Sequence, residues 1–565
     1  MAFPICRKPL GVGAIRVNMA AHTLPRNDWQ MNLTGNELPA HKASPGTSPS
    51  RAGWILAVLI LGAIVANVNT SISNVALPSI GRALEASDLQ LTAITDAYQF
   101  GIAATVLYLG ALGDRYGRKG LLILGASLCV PFSLLSAFAP NATVLIAAQV
   151  AVGVACGMLY PTTLSLITSL WSGPPMTRAI AMWTGIGTGT SILGPILGGW
   201  MLGSLWWGSV FLITVPLALV VLVSAIFILP KKAGESTTPV DNRGGMLSVL
   251  MIASFVAGIV ALPGGLTIPV VALFVASLVS GILFFRWERS APNPIFDLKY
   301  AAVPTFWVAF TAGLIGFGAL VGAMFIGQQF TQNVLGESPL TAVLLTLGLA
   351  VGLFPASILA GRQIIARGTR EPFALGLIAM ALGLLVILLV WTSKSPLWHV
   401  VLAYFLVGIG VGYASTSATR SMSMSLPISK AGMSSASADL TKDLGGAVFQ
   451  AVLGSFLAIA YAVAMGRALS SESIGLSSAQ VAQTESSFED AQAVVSSLSG
   501  TSASDLLTTA QDAFTAGKDL SVGVALVCVF VGLALVLIKY PKVEKEREIF
   551  GEIQSQNAQP ANEVK

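Results

Sequence analysis

The sequence predicts an all-α membrane protein with fourteen transmembrane helices, arranged as two six-helix bundles with an extra helix pair between them. Three observations predict it. Fourteen apolar stretches lie between Gly53 and Lys539, charge is scarce, and Lys and Arg gather on alternate loops. Hydrophobic residues fill 54% of the 565 positions and charged residues only 10%, against about 25% charged in a soluble domain. Mean hydropathy is +0.77. Crossing about 30 Å of hydrocarbon at 1.5 Å per residue takes about 20 apolar residues. Backbone polar groups there must be satisfied internally, which selects helices. A barrel would show alternating segments of about ten residues, and this sequence has none.

Six spans come first, at 53–75, 91–112, 120–139, 143–168, 179–203 and 207–229. A polar loop at 231–244 precedes two more, 245–263 and 266–285. Segment 286–301 is amphipathic and suits the inner membrane surface. The last six spans occupy 305–330, 339–361, 373–392, 397–420, 433–466 and 520–539. Six, two and six is a repeat pattern that places a substrate site between the halves. The expected organisation is a disordered cytoplasmic tail (1–52), a first bundle (53–229), a linker carrying the extra pair (230–301), a second bundle (302–540) and a cytoplasmic tail (541–565). Residues 1–52 lack a signal-peptide pattern. An external loop at 467–519, rich in Ser, Ala, Gln and acids, reads as a partly helical cap or a disordered loop.

The net charge is +5. With a cytoplasmic N-terminus, every Lys and Arg falls on the cytoplasmic side except Arg82, Lys394, Arg467 and Lys518 outside and Lys442 within a span, as the positive-inside rule requires. The basic residues form no continuous patch, which argues against nucleic acid. Three of four cysteines lie in apolar spans and read as small buried hydrophobes. No metal spacing, cofactor motif or nucleophile–base set occurs, which argues against an enzyme. No G-x-x-x-x-G-K-[ST] loop occurs, which argues against ATP-driven pumping.

Between the second and third spans stands G-A-L-G-D-R-Y-G-R-K, Gly110 to Lys119. Gly110, Gly113 and Gly117 permit tight turning and close helix approach. Asp114 is an anion able to face a helix N-terminus, and Arg115, Arg118 and Lys119 suit lipid headgroups or paired acids. A fainter echo, Gly361 to Arg370, stands at the matching place in the second half but lacks the aspartate. The fifth span carries a glycine-rich run around Pro195, with Gly189, Gly194, Gly198 and Gly199.

The Gly110–Lys119 segment resembles the loop of the major facilitator superfamily, where it acts as a latch between halves; the resemblance implies that role for Asp114 and Arg118. The G-P-x-x-G-G run resembles the antiporter motif of that superfamily's drug exporters, with Thr190 where another glycine is usual. N-V-A-L-P closing the first span at Asn74–Pro78, with segments 294–300, 330–340 and 430–447, is similar to the 14-helix drug:proton antiporter branch. Two positions depart from that branch. Asn69 stands where it has an acid, and Gln149 where it has an arginine; neither amide titrates.

Other charges can take over proton work. Asp96 lies in the second span, and Asp439, Lys442 and Asp443 share a helix face in the thirteenth. A charge at mid-bilayer costs about 3 kcal/mol on insertion scales and needs a partner or a wet cavity. One arrangement pairs Lys442 with one aspartate and leaves the other free; another has all three near the headgroups, with Lys442 snorkelling. Asn69, Tyr98, Gln149, Gln328 and Gln329 are candidate cavity residues, among other in-span aromatics such as Tyr160 and Trp183. The expected function is proton-driven export of small amphipathic compounds across the cell membrane by a monomer with both termini cytoplasmic. An uncoupled facilitator, an importer of a specific metabolite and a non-transporting scaffold are the competing expectations.

Overall fold

A computed structural model describes residues 48–558 except 87, 231–238, 262–266, 472–475 and 499–500. The side chains of several helical residues, Asp96 and Pro195 among them, also lie outside the described set, as does most of the expected tail 1–52.

The first half consists of α1 (Ala52–Leu84), α2 (Asp88–Tyr116), α3 (Arg118–Ala137), α4 (Ala142–Leu170), α5 (Gly173–Ser204), α6 (Ser209–Leu212) and α7 (Thr214–Ile228). The extra pair is α8 (Asn242–Ala261) and α9 (Ile268–Glu288), followed by the short α10 (Leu298–Ala301). The second half holds α11 (Pro304–Gln329), α12 (Pro339–Leu345), α13 (Leu347–Arg367), α14 (Arg370–Val390), α15 (Leu397–Met424) and α16 (Ala431–Ser471). Then come α17 (Ser478–Ser486), α18 (Phe488–Ser497), α19 (Thr501–Lys539) and α20 (Val543–Ala558). The described residues are helical throughout, with no strand. Twelve of these helices, counting α6–α7 and α12–α13 as one span each, are long and apolar enough to cross a membrane. The set excludes α2 and α5, of 29 and 32 residues.

Local chemistry sets the breaks. Asn141 caps α4 by accepting from the Val144 N–H at 2.9 Å, a satisfied orphan donor. Proline opens α5, α9, α11 and α12, where its missing N–H costs nothing. Gly117, at φ 108°, separates α2 from α3 in a conformation that only glycine adopts readily.

Several helices outrun the apolar windows. The helix α1 continues through Pro78 to Leu84, so N-V-A-L-P lies inside it rather than closing it. Lys518, read from sequence as an external loop residue, sits inside α19 and is fully buried. Its ammonium donates to the carbonyls of Ile387 and Trp391 at 3.0 and 2.8 Å, capping the end of α14, and pairs with Asp519 at 2.7 Å. Hydropathy ended that span at the charged residues, but α19 begins as early as Thr501, and Lys518 within it is paired rather than solvated. Much of 467–519 is accordingly helical. Tyr461 donates to the carbonyls of Thr484 and Ser487, holding α17 and α18 against α16.

Packing repeats between the halves. α2 and α3 pack on α4, α1 on α5, and α7 on both α3 and α1; α13 and α14 pack on α15, α11 on α16, and α19 on both α14 and α11. Within the extra pair α8 packs on α9 and also on α2, where the Tyr108 ring fills the space a side chain at Gly245 would need. Large apolar side chains face outward, including Trp54, Phe227, Ile268 and Ile538. Such a surface suits hydrocarbon and would be a liability in water.

Candidate functional site

The halves meet along α2–α16 and α5–α13, and small residues set how closely. A Cβ on Gly432 would lie 2.2 Å from the Gly110 carbonyl oxygen, and one on Gly110 would lie 2.7 Å from that of Gly432. On the other seam, a Cβ on Gly189 would strike the Phe354 ring at 2.3 Å, and Gly361 sits against Ala181. Gly194 and Gly198 are buried and Gly199 is half-buried.

At the Gly110 end, one Asp114 oxygen accepts from Arg118 Nε and Nη2 at 3.0 and 2.9 Å. The other accepts from the Gly432 N–H at 2.7 Å. The carboxylate therefore faces the N-terminus of α16, where unpaired N–H groups favour an anion. Arg118 also donates to the Ile428 carbonyl at 2.6 Å, so both members of a buried pair reach the other half. Gly113 is buried, Arg115 is exposed and lies 5.9 Å from the Tyr116 ring centre. Lys119 donates to the carbonyls of Ile226 and Leu229 at 2.8 and 2.7 Å, capping α7.

A second clasp at this end involves residues the sequence did not single out. Glu546 of α20, 2% exposed, accepts from the Thr369 N–H at 3.0 Å and from its hydroxyl. It pairs with Arg420 at 3.3 Å. Arg420 in turn donates Nε to Thr177 on α5 at 2.9 Å. Tyr540, whose phenol pKa burial pushes well up, lies beside Glu546 and shares a 2.6 Å hydrogen bond with Ser421.

Deeper in the interface, Lys442 donates to Asn67 Oδ1 at 2.6 Å and stands 4.8 Å from the Tyr160 ring centre. It lies about 16 Å along α16 from that helix's first residue, eleven residues at 1.5 Å each. Tyr160 packs on Trp183 at 5.1 Å, and Trp183 donates to Thr163 at 2.9 Å. No ion pair joins Lys442 to Asp439 or Asp443 among the described residues; Asn67 is its partner instead. Gly432, Ala436, Asp439 and Asp443 form a stripe at helical spacing. The first two touch Gly110, which turns the stripe toward the first half. Asp439 is 3% exposed, and its Oδ2 has no hydrogen-bond partner among the described residues. Asp443 is half-buried.

The cavity candidates scatter. Tyr98 donates to the Ala66 carbonyl at 2.7 Å, next to Asn67. Asn69 faces inward within the first half, accepting from Thr214 at 3.0 Å and donating to the Val65 carbonyl at 2.9 Å. Two residues is more than half a helical turn, so Asn67 faces the second half and Asn69 cannot. Gln149 is buried with both amide atoms unpartnered among the described residues. Gln328 donates to the Ala342 carbonyl at 3.4 Å, within the second half; Gln329 is half-buried beside it. Neither is brought to Lys442.

The chain's residues 59–450 match the family model of the Major Facilitator Superfamily. The chain is 32% identical over 507 residues to the multidrug efflux pump LfrA of Mycolicibacterium smegmatis, covering 88% of this chain and 99% of that one. It is 28% identical to the methyl viologen resistance protein SmvA of Salmonella typhimurium, over 86% and 98% of the two chains. Against the methylenomycin A resistance protein of Bacillus subtilis it is 30% identical, over 60% and 73%. With a matching family model over most of its length, and relatives aligned nearly end to end, this chain is a membrane transporter belonging to the Major Facilitator Superfamily.

Proposed function

We propose that the protein exports small amphipathic compounds across the cell membrane by alternating access, driven by proton antiport. The relatives' names as efflux pumps and resistance proteins support export. One observation carries the coupling: Lys442 bonds across the interface to Asn67 while Asp439, one turn away, keeps an oxygen with no partner among the described residues. Parting the halves breaks the Lys442–Asn67 bond, and a proton taken up by Asp439 or Asp443 changes the charge that Lys442 meets. Neutral Asn67 thus does for Lys442 what an acid at the Asn69 position cannot do here.

α2 and α5 complete fourteen crossings, with the Gly110 end and both termini on the cytoplasmic side. The bundles are 53–229 and 302–540, joined by 230–301, in a monomer. The two clasps then close the cytoplasmic mouth, and the Asp114–Arg118 loop is the latch. The test is efflux of a lipophilic dye from proteoliposomes with and without an imposed pH gradient. The gradient should accelerate wild-type efflux, and Asp439→Asn or Asp443→Asn should abolish the acceleration while leaving insertion intact. Equal wild-type rates in both conditions would establish an uncoupled facilitator instead.

A further inference from the structure

Between the extra pair and the second half lies a groove of about 630 Å³, formed by α8, α9 and Leu444 of α16. Its floor is fixed: Ser277 of α9 donates to the Met251 carbonyl of α8 at 2.9 Å. Its walls are apolar, with Phe255, Ile282 and Phe285 prominent, and Arg286 and Arg289 stand at one end. Ile282 and Phe285 are 51% and 43% exposed, so the groove opens toward the surrounding hydrocarbon. No acid lines it. Glu288, between the two arginines in sequence, is buried and accepts from the Phe296 N–H at 3.2 Å. Asp241 accepts from Trp287 Nε1 at 2.6 Å. Neither arginine has an ion-pair partner among the described residues.

We propose that this groove is a binding site for one anionic phospholipid of the bilayer, its acyl chain along Phe255 and Ile282 and its phosphate against Arg286 and Arg289. Charge and shape together select that occupant. A neutral lipid would fill the slot and leave two guanidinium groups unmet. A water-soluble anion would meet the arginines and leave the slot empty. The groove's volume falls in the range of ordinary ligand sites, about 300–1,000 Å³, and arginine clusters next to a span suit anionic headgroups. Leu444 directly follows Asp443, so the lipid would rest against the helix that carries Asp439, Lys442 and Asp443. The inference does not depend on the direction or energetics of transport.

The test uses the full-length protein in mixed micelles of phosphatidylglycerol and phosphatidylcholine with identical chains, with retained lipid counted by native mass spectrometry. The wild type should enrich phosphatidylglycerol about thirtyfold, which is what two basic side chains at an anionic surface supply. Arg286→Gln with Arg289→Gln should erase that preference, and Arg286→Lys with Arg289→Lys should keep most of it, which separates lost charge from lost folding. Ile282→Trp should cut retention of both lipids by obstructing the slot. Equal retention of the two lipids by the wild type would overturn the proposal. So would an unchanged preference in the double Gln variant, or displacement of the lipid by glycerol phosphate at equal concentration.

Discussion

At the Gly110 end, the first half reaches the second through a carboxylate, while the second half reaches the first through a guanidinium. Asp114 takes the Gly432 N–H directly, and its partner Arg118 reaches Ile428 as well. In the other clasp, among the described residues, Glu546 bonds to second-half residues, Thr369, Arg420 and Tyr540, and the crossing bond is made by Arg420 to Thr177. The echo loop 361–370 has no aspartate of its own. Glu546, arriving from α20, supplies the carboxylate at the N-terminus of α14. The second clasp is thus assembled from four distant segments, and its acid positions the crossing group rather than crossing itself. The two acids should therefore differ in what their loss does.

The largest effect belongs to the backbone contact beside the Asp114 clasp. Gly432→Val would push carbon into the Gly110 carbonyl, and backbone against backbone cannot yield as a side chain can. Dye efflux should fall at least about tenfold, more than the 1 kcal/mol at the low end of overpacking costs, with normal amounts of protein in the membrane. Efflux at the wild-type rate would mean that the α2–α16 seam need not close this tightly. Next come the acids. Asp114→Asn and Glu546→Gln each remove the charge of one member of a buried pair, costing about 3 kcal/mol or more, and both should lower the thermal unfolding midpoint. Asp114→Asn should raise labelling of a single cysteine placed in the mouth at this end by about tenfold, the size of one lost charge-assisted hydrogen bond, and Glu546→Gln should raise it less, because Asp114 itself bonds across the seam while Glu546 only aims Arg420. Equal labelling in both variants would erase the distinction between the clasps.

How much was legible follows from the same contrast. Asp114 and Arg118 are four residues apart on consecutive helices, so one short segment displays glycines, acid and base together. Glu546, Thr369 and Arg420 have no sequence proximity, and only the docking of α20 joins them; the tail read from composition as a plain cytoplasmic extension is largely a packed helix. The stripe of Asp439 and Asp443 could be read from spacing, since helical phase is local. Its partner could not. The resemblance to the antiporter branch pointed to Asn69, which the turn of α1 directs at Thr214, while Asn67 took the seam. Lys518 shows the complementary limit. Counting charges by loop assumes that charge marks a helix end in water, and here two carbonyls of α14 and Asp519 make burial tolerable.

The smallest effect separates positioning from direct bonding in the second clasp. Thr177→Val removes one hydrogen bond from Arg420, whose guanidinium keeps Glu546 and Thr369. The loss is about 1 kcal/mol, and mouth labelling should rise less than tenfold. Combined with Glu546→Gln, the cycle becomes informative. If the carboxylate acts by aiming Arg420 at Thr177, the second substitution adds little labelling beyond the first, because the crossing bond is already weakened. Full additivity would mean that Arg420 finds Thr177 unaided, and that α20 stabilises the second half without taking part in closing the mouth.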